Sequence, residues 1–459
     1  MIDLLLTNAE VVTPSGVVHG DVAVDGGRIV AVGQDAGDAR RVIDVDGRIV
    51  MPGVFDPHVH FGLAGTYGDD TMLEDFRHNT RDCLVGGVTT VATTTLPGAD
   101  LVVEYERTAA VAVGHSWCDY RLVSIVGRRP QVAQIREVVA RGGTAFKFFT
   151  GMVGNEAVAL GGTPEGIPPD FFLEACDALR ATGSGAFPMI HAEEPSVRGA
   201  LLDRVRRSGR ADHLVAWADA SPAWAESAQI YGYGLVARQA RVPLYPVHLS
   251  AAESIDTVAV LQSQGFDVPA ETVVHYLCTT ADEIQLAGLG VRAKVQPPIR
   301  FERDRQRLWR GIAEGTIKVV GTDSGTYSLS MRQGPDFWEC RVGLPLQVAD
   351  TLPLMYTEGV AAGHIDLLTL SQVLSANAAR LHGIYPRKGA IAPGSDADIV
   401  VIDQHTPVRL GAHRYRGHTD YTLWEGREVT GVPVMTFLRG KLVMQDGEIV
   451  DEVPTGVAV

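Results

Sequence analysis

Six side chains spread over most of the chain have the types and the spacing of one metal site. Two of them, His58 and His60, lie in the sequence DPHVH at 56–60, which follows the apolar run 49–55. Side chains on a strand alternate between two faces, so both imidazoles would point the same way. Imidazole nitrogens and carboxylate oxygens are good ligands for zinc and neighbouring metals. The other four candidates also lie at the ends of apolar, strand-like runs: Lys147, His191, His248 and Asp323.

Each candidate also has a structural alternative. A single histidine near a strand end is commonly a hydrogen-bonded structural residue, and Asp323 can be a helix N-cap. We expect His275 to be either structural or a residue that supports a metal ligand from behind. Lys147 lies among apolar residues, where a charged ammonium is costly to bury. It can extend to solvent, or its pKa can fall and the neutral amine can react with carbon dioxide. The resulting carbamate can bridge two metal ions. No structural alternative explains all six residues as economically as a binuclear site.

Strands and helices that alternate along the middle of the chain must position these residues. Regular alternation predicts a parallel sheet, and eight units predict a (β/α)8 barrel of the TIM type, with its active site at the C-terminal ends of the strands. All six candidates fall at or near those ends. The predicted strands are 54–61, 88–95, 121–126, 145–149, 187–193, 244–250, 272–278 and 317–323. Amphipathic stretches lie between most of them, for example 170–180, 223–239 and 253–264.

The two ends of the chain predict a second, smaller unit. Residues 1–52 alternate short apolar runs with turns, including the hairpin signal Asp25–Gly26 between two such runs. Residues 390–459 have the same texture. Neither end has enough apolar positions for a large core, so we expect the two to pair into one small β-sandwich. The predicted organisation is a sandwich from 1–52 and 390–459, with the metal-dependent barrel at 53–389.

Composition narrows the class of protein. The chain has 459 residues, 46% of them hydrophobic, which is ample for a large core. Its formal charge of −15 argues against nucleic-acid and anionic-membrane partners, because both need basic patches. Five widely spaced cysteines without a CxxC pair fit buried thiols in a reducing cytoplasm. Neither a signal peptide nor a membrane-spanning run is predicted, and we therefore expect a cytoplasmic protein.

The chain resembles the hydantoinase/dihydropyrimidinase family of cyclic amidases, within the amidohydrolase superfamily. The resemblance covers nearly the whole chain and is most specific at GIYPRKGAIAPGSDADIV (383–400), with DYT (420–422), EVTG (428–431), LRG (438–440), GLP (343–345) and TEGV (357–360). It implies two divalent metal ions, usually zinc, with manganese or cobalt as substitutes. His58, His60 and Asp323 would bind the more buried ion. His191 and His248 would bind the other, and carboxylated Lys147 would bridge both.

The resemblance also implies the reaction and the assembly. A hydroxide shared by the two metals would attack the amide carbon of a small cyclic amide, and a metal would polarise the carbonyl. Asp323 would take the proton of the nucleophile and pass it to the leaving nitrogen. A hydantoin or dihydrouracil would give a ring-opened N-carbamoyl acid. Members of the family generally form homotetramers or homodimers, and residues 405–431 are candidates for such contacts.

Five positions depart from the family or bear on the substrate. Met152 stands where many members have a tyrosine that assists the oxyanion, and methionine is a poor hydrogen-bond partner. Gly62 stands where dihydroorotases and allantoinases have Arg or Asn, which argues against both activities. Ser324 stands where relatives often have His. The family holds the ring amide largely through main-chain groups, here near Gln296 and Val342, although its usual Ser and Asn are missing.

Two glycine-rich loops, 62–70 and 150–162, are expected to lie over the barrel mouth. With Leu63, Tyr67, Phe149 and Met152 they would form an apolar rim that suits an alkyl or aryl substituent; the alternative is that these are ordinary loop residues. Two other functions stay open. One is an amidohydrolase that acts on another cyclic amide or imide, as an allantoinase does. The other is a non-catalytic scaffold, against which the retention of all six ligand candidates argues.

Overall fold

The computed structural model describes residues 1–33, 37–62, 69–417 and 419–459. The strands in this part of the chain are β1 Ile2–Thr13, β2 Gly16–Asp25, β3 Arg28–Gly33, β4 Ala39–Asp44, β5 Ile49–Pro52, β6 Val54–His60, β7 Val88–Thr94, β8 Asp119–Ile125, β9 Ala145–Phe148, β10 Phe187–Ile190, β11 Tyr245–Pro246, β12 Ala270–Val273, β13 Ile317–Gly321, β14 Ser324–Gly325, β15 Ile399–Asp403, β16 Val408–Arg409, β17 Glu428–Val429, β18 Val432–Leu438, β19 Lys441–Gln445 and β20 Glu448–Ile449.

The α-helices lie mostly between the strands of the central region. They are α1 Asp69–Val85, α2 Leu101–Ala112, α3 Ile135–Ala140, α4 Gly154–Ala159, α5 Pro169–Thr182, α6 Pro195–Arg207, α7 His213–Ala220, α8 Ala223–Ala240, α9 Ala252–Ser263, α10 Val274–Cys278, α11 Ala281–Leu286, α12 Glu302–Ala313, α13 Val348–Met355, α14 Leu367–Ser371 and α15 Asn377–Leu381. None of the described helices is both long and apolar enough to cross a membrane.

The central strands form a parallel barrel. Seven of them pair in the order β11-β10-β9-β8-β7-β6-β14. Strand β12 pairs with β13, and only two residues separate β13 from β14, so β13 and β14 share one strand position of the barrel. Two backbone hydrogen bonds, from Leu244 N to Asp267 O (2.9 Å) and from Leu249 N to Glu271 O (2.8 Å), join the β11 and β12 segments. The ring of eight strand positions is thereby closed. The predicted TIM-type barrel is confirmed.

The barrel strands are buried on both faces, as a parallel sheet covered by helices requires. Every residue of β7 and β8 is buried, and the helices pack their apolar faces around the ring. Helix α5 illustrates the local signals. It begins with Pro169 in its first turn, ends at Gly183 with φ +65°, and packs Phe172 edge-on against Phe148 of β9 at 5.2 Å between ring centroids.

The two chain ends form one mostly-sheet unit, as predicted. Their nine strands make one sheet. Eight of them follow the order β20-β19-β18-β15-β5-β1-β2-β3, and the ninth, β4, pairs with β1 in parallel orientation. The N-terminal and C-terminal parts meet where β5 pairs with β15 in antiparallel orientation. A separate core of buried side chains fills this unit: Leu6, Val22, Val50, Ile399 and Phe437 are among its members. The exact boundaries between this unit and the barrel, after residue 52 and after residue 389, stay a prediction.

Two predicted strands are wrong in part. Of 272–278, only the first two residues belong to β12, and Val274–Cys278 forms the helical turn α10. A short apolar run that is buried all round does not distinguish the two structures. Of 244–250, only Tyr245–Pro246 is a strand, because Pro246 has no N–H to donate and His248 turns into the left-handed region at φ 45°. The three predicted helices match α5, α8 and α9 within two residues.

A buried lysine joins the sheet unit to the barrel. The ammonium of Lys388 lies 2.5 Å from carboxylate oxygens of both Asp119 and Asp398 and 3.2 Å from Asp396. Asp119 begins β8 of the barrel, and Asp398 precedes β15 of the end sheet. Arg439 also bonds Asp119, and its main-chain N–H donates to Asp398 at 2.8 Å. The cluster therefore ties the two units through charges that are removed from water.

We expect Lys388→Met to destabilise the protein by about 3–5 kcal/mol, because it leaves buried carboxylates without their cation. Urea unfolding of the full chain measures the loss. The control is Arg40→Met, which breaks an ion pair to Asp3 in which both side chains are exposed, at 71% and 43%. That change should cost no more than about 1 kcal/mol. Equal losses in the two variants would contradict the joining role of Lys388.

Candidate metal centre

The His-x-His pair lies on β6 and faces the residue that follows the last barrel strand. His60 Nε2 is 2.9 Å and His58 Nε2 is 3.1 Å from the same Asp323 oxygen, Oδ1. The potential ligand atoms of these three residues lie within 4.8 Å of one another, close enough for one metal ion. Strand alternation places both imidazoles on one face, as the spacing predicted.

A second pair of histidines adjoins the first group. His191 directly follows β10, and its Nδ1 lies 3.0 Å from Nε2 of His248, which follows β11. The ring of His248 also stacks on that of His58, with 5.6 Å between centroids. Lys147 of β9 brings its Nζ to 3.2 Å from His58 Nε2. The structure therefore brings together all six residues at the C-terminal ends of the barrel strands.

Two of the six have unusual backbone conformations. His248 has φ 45° and Asp323 has φ 49°, in the left-handed region that residues other than glycine rarely adopt. Such strain costs of the order of 1–3 kcal/mol per residue and persists where the surroundings over-determine it. Five other described non-glycine residues share this conformation, and at His248 and Asp323 it carries the side chains into the cluster just past the ends of β11 and β13.

Three of the four histidines are held from behind by an oxygen atom. His58 Nδ1 donates to Glu271 Oε1 at 2.8 Å, and His191 Nε2 donates to Glu193 Oε2 at 3.0 Å. His60 Nδ1 lies 3.2 Å from the hydroxyl of Thr94. A carboxylate behind a histidine fixes its tautomer and ring orientation, and such pairs are typical of metal sites. Sequence reasoning missed both glutamates. Glu193 lies inside the predicted strand 187–193, where a charged residue in an apolar run was a signal, whereas Glu271 lies just before the predicted strand 272–278.

The nitrogens that face inward can bind a cation. A neutral imidazole that donates through Nδ1 has a bare lone pair on Nε2. In His58 that lone pair meets the Asp323 carboxylate oxygen at 3.1 Å, so two acceptors face each other. The lone pair on Nδ1 of His191 faces His248 Nε2 at 3.0 Å, and Nδ1 of His248 has no hydrogen-bond partner among the described residues. A divalent metal ion would satisfy these lone pairs, and nitrogen with carboxylate oxygen is a ligand set that suits zinc. The residues present thus fit a metal.

Burial sets the charges of the cluster. It lowers the pKa of Lys147 from 10.5 to about 8, and it lowers the pKa of both His60 and His248 below 6.5. Burial alone would raise the pKa of Asp323, but the neighbouring histidines hold it well below 3.8. At neutral pH the two histidines are therefore neutral and Asp323 is ionised. These are the protonation states in which such side chains bind metal.

The predicted substrate residues lie in several surroundings. Met152 is buried at the turn after β9, where Gly151 N donates to His191 O at 3.0 Å. The amide of Gln296 donates to Glu193 Oε1 at 2.6 Å, so its side chain supports the partner of His191. Val342 is half-buried, beside Gly343. Leu63 and Tyr67 lie outside the described residues.

Two further residues discussed from the sequence have clear structural surroundings. Burial lowers the pKa of His275 to about 3, and its Nδ1 lies 3.3 Å from the Gln347 amide nitrogen, so it is a neutral core histidine. Gly62 has φ +75° and donates to Asp75 Oδ2 at 2.7 Å. A Cβ at Gly62 would lie 2.9 Å from the ends of the Leu96 and Met72 side chains, which would have to shift, and the positive φ makes any other residue strained there.

Comparison with known proteins agrees with this geometry. Residues 49–443 match the model of the amidohydrolase family. The chain belongs to that family.

It is 30% identical to L-hydantoinase from Paenarthrobacter aurescens, over 98% of this chain and 96% of the relative. An allantoinase from Rubrobacter xylanophilus is also 30% identical, over 98% and 95%. The solved structure of L-hydantoinase (dihydropyrimidinase) from Arthrobacter aurescens superposes with a TM-score of 0.90 at 28% identity, over 99% of both chains. The resemblance to the hydantoinase/dihydropyrimidinase branch is confirmed.

We expect Asp323→Asn to weaken zinc binding on the order of tenfold or more, since even residues behind a ligand contribute that much. Competition with a coloured chelator measures the affinity. Asp256→Asn is the matched control, because Asp256 is an exposed carboxylate on α9 paired with Arg307. Equal zinc affinity in the two variants would contradict a role for Asp323 in the centre.

Proposed function

We propose that this protein is a metal-dependent cyclic amidase that opens the ring of a 5-substituted hydantoin or a dihydropyrimidine. One observation carries the proposal. Four histidines, a lysine and an aspartate converge at the C-terminal end of a barrel whose chain aligns with a hydantoinase over nearly its whole length. The active sites of such barrels lie at that end.

The proposed cofactor is a pair of divalent ions, zinc or alternatively manganese or cobalt. His58, His60 and Asp323 would hold one ion, and His191 with His248 the other. Lys147, carboxylated by carbon dioxide, would bind both; its amine lies beside His58, and His58 stacks on His248. When bound, the ions would supply a water of lowered pKa and a Lewis acid for the amide carbonyl.

Asp323 is the proposed acid–base residue. Its carboxylate is ionised, so it can accept a proton from the attacking water and deliver it to the leaving ring nitrogen. The left-handed backbone at φ 49° and the contacts of Oδ1 with His58 and His60 fix the position of that carboxylate. One fixed carboxylate would thus serve the attacking water and the leaving nitrogen in turn.

The proposed substrate carries an apolar substituent. The ring of Phe149 lies 5.3 Å from Lys147 Nζ and 6.5 Å from the ring of His191, so an apolar wall adjoins the cluster. Met152 would extend this wall, with Leu63 and Tyr67 as further contacts, and it cannot donate a hydrogen bond to an oxyanion. The ring amide would bind main-chain groups near Gln296 and Val342.

An allantoinase activity is less well supported, although allantoinases are among the relatives. Gly62 has no side chain with which to hold a polar substrate, whereas an Arg or Asn there would do so. A non-catalytic scaffold would have no need of six convergent ligand side chains. We further propose a cytoplasmic homotetramer or homodimer; the five cysteines are all buried, which fits a reducing compartment.

Turnover of a substrate panel tests the function. The zinc- or manganese-loaded protein should convert 5-alkyl and 5-aryl hydantoins to N-carbamoyl products faster than it opens dihydrouracil or allantoin. Chelator-treated protein is the control and should be inactive. If two metals bind per chain and no hydantoin is opened, another cyclic amide is the substrate. If neither metal binding nor turnover is observed, the proposed function is wrong.

The pH dependence of reconstitution tests the carbamate. Only a neutral amine reacts with carbon dioxide, and the neutral fraction of a lysine with pKa about 8 rises roughly tenfold between pH 7 and pH 9. At constant dissolved carbon dioxide, apoprotein should therefore regain zinc and activity about ten times faster at pH 9, with a ¹³C carbamate signal from labelled carbon dioxide. Lys147→Ala is the control and should lose both metal and activity. Full metal occupancy in Lys147→Ala would contradict the bridge.

A further inference from the structure

One carboxylate behind the centre contacts both of its halves. Glu271 lies on β12 and is fully buried. Its Oε1 accepts from His58 Nδ1 at 2.8 Å and from the main-chain N–H of His248 at 3.2 Å. Its Oε2 accepts from the hydroxyl of Tyr245. Three donors from two other barrel strand segments thus converge on one side chain.

The fold leaves space for this carboxylate. A Cβ on Gly321 would lie 3.3 Å from Cδ and Oε2 of Glu271, closer than most side-chain contacts. Gly321 ends β13, two residues before Asp323. The glycine therefore lets the carboxylate of β12 lie against β13 at the point where the chain turns toward the centre.

The contact with His58 decides which of its nitrogens faces the centre. A carboxylate accepts only, so the proton of His58 lies on Nδ1 and the lone pair lies on Nε2. That lone pair points at Asp323 Oδ1 and Lys147 Nζ, at 3.1 and 3.2 Å. In the other tautomer the proton would occupy the place of a metal ion.

The contact with His248 holds a strained backbone. His248 has φ 45°, and its N–H is the group that Glu271 accepts. This bond favours the left-handed turn over a continued strand. The turn is what brings His248 Nε2 to 3.0 Å from His191 Nδ1. The same carboxylate thereby positions one histidine of each half.

We propose that Glu271 is the positioning residue of the whole centre: it sets the tautomer of His58 and the backbone of His248, and so couples the two halves for a divalent cation. The inference rests on the proposed function only in that the centre binds metal. Tyr245 acts through Glu271, because its hydroxyl occupies the second oxygen and keeps the carboxylate from rotating.

Zinc affinity of the full chain, measured by chelator competition without substrate, tests the inference. Glu271→Ala should lose about 10–100-fold in affinity, the range found for residues behind metal ligands. Glu271→Gln keeps an acceptor for His58 but no charge, and it should fall between Glu271→Ala and the unchanged protein. Tyr245→Phe should show a smaller loss. The visible spectrum of the cobalt-loaded variants should shift, since the histidine orientation changes.

Tyr233→Phe is the matched control for Tyr245→Phe. It removes a buried tyrosine hydroxyl that donates to Ile167 O on the side of α8, and it should keep full zinc affinity and an unchanged cobalt spectrum. If Glu271→Ala does not fold, Glu271→Gln and Tyr245→Phe decide the question. Unchanged zinc affinity in both would overturn the inference. The zinc-affinity experiment uses no substrate, so its outcome does not depend on hydantoin turnover. A failure of hydantoin turnover would therefore count against the proposed function alone.

Discussion

The candidate site depends on hydrogen bonds that hold histidine rings from outside. A buried imidazole has two nitrogens, and a protein controls which one faces inward by satisfying the other. Here Glu271, Glu193 and Thr94 occupy the outer nitrogens of three histidines, so the inner nitrogens and Asp323 face one another. The lone pair of His58 faces the Asp323 carboxylate oxygen at 3.1 Å, and such an arrangement suits a cation, which is what the proposed metal ions would supply.

The barrel supplies the precision that this arrangement requires. The six ligand candidates lie on or just beyond five parallel strands, with His58 and His60 sharing β6, and the strands end at the same rim. Backbone strain at His248 and Asp323 is tolerated because main-chain and side-chain contacts on all sides determine their positions. The sheet unit of the chain ends is bound to the opposite, N-terminal end of β8 through Lys388, so its contribution is to support the barrel rather than to build the rim.

Much of the site could be predicted from the sequence, because each ligand follows an apolar run and the runs recur with barrel spacing. The barrel could be predicted for the same reason. The pairing of the chain ends could be predicted because neither end has enough apolar positions for a large core of its own. The partner of His58 could not, since Glu271 is 213 residues away and nothing local marks it as an acceptor. Nor could the end of the strand at Val273, because the apolar run continues unchanged into the helical turn α10. The spacing of apolar residues shows which positions are buried. The contact of Glu271 with His58 and the end of β12 depend instead on contacts between elements that are distant in the sequence.

The most direct measurement of the central claim is anomalous X-ray diffraction at the zinc edge from crystals of the zinc-loaded protein. The account predicts two anomalous peaks at the barrel rim, one against His58, His60 and Asp323 and the other against His191 and His248, with density extending from Lys147 Nζ between them. Absence of anomalous density at these residues, in crystals that hold zinc elsewhere, would contradict the account.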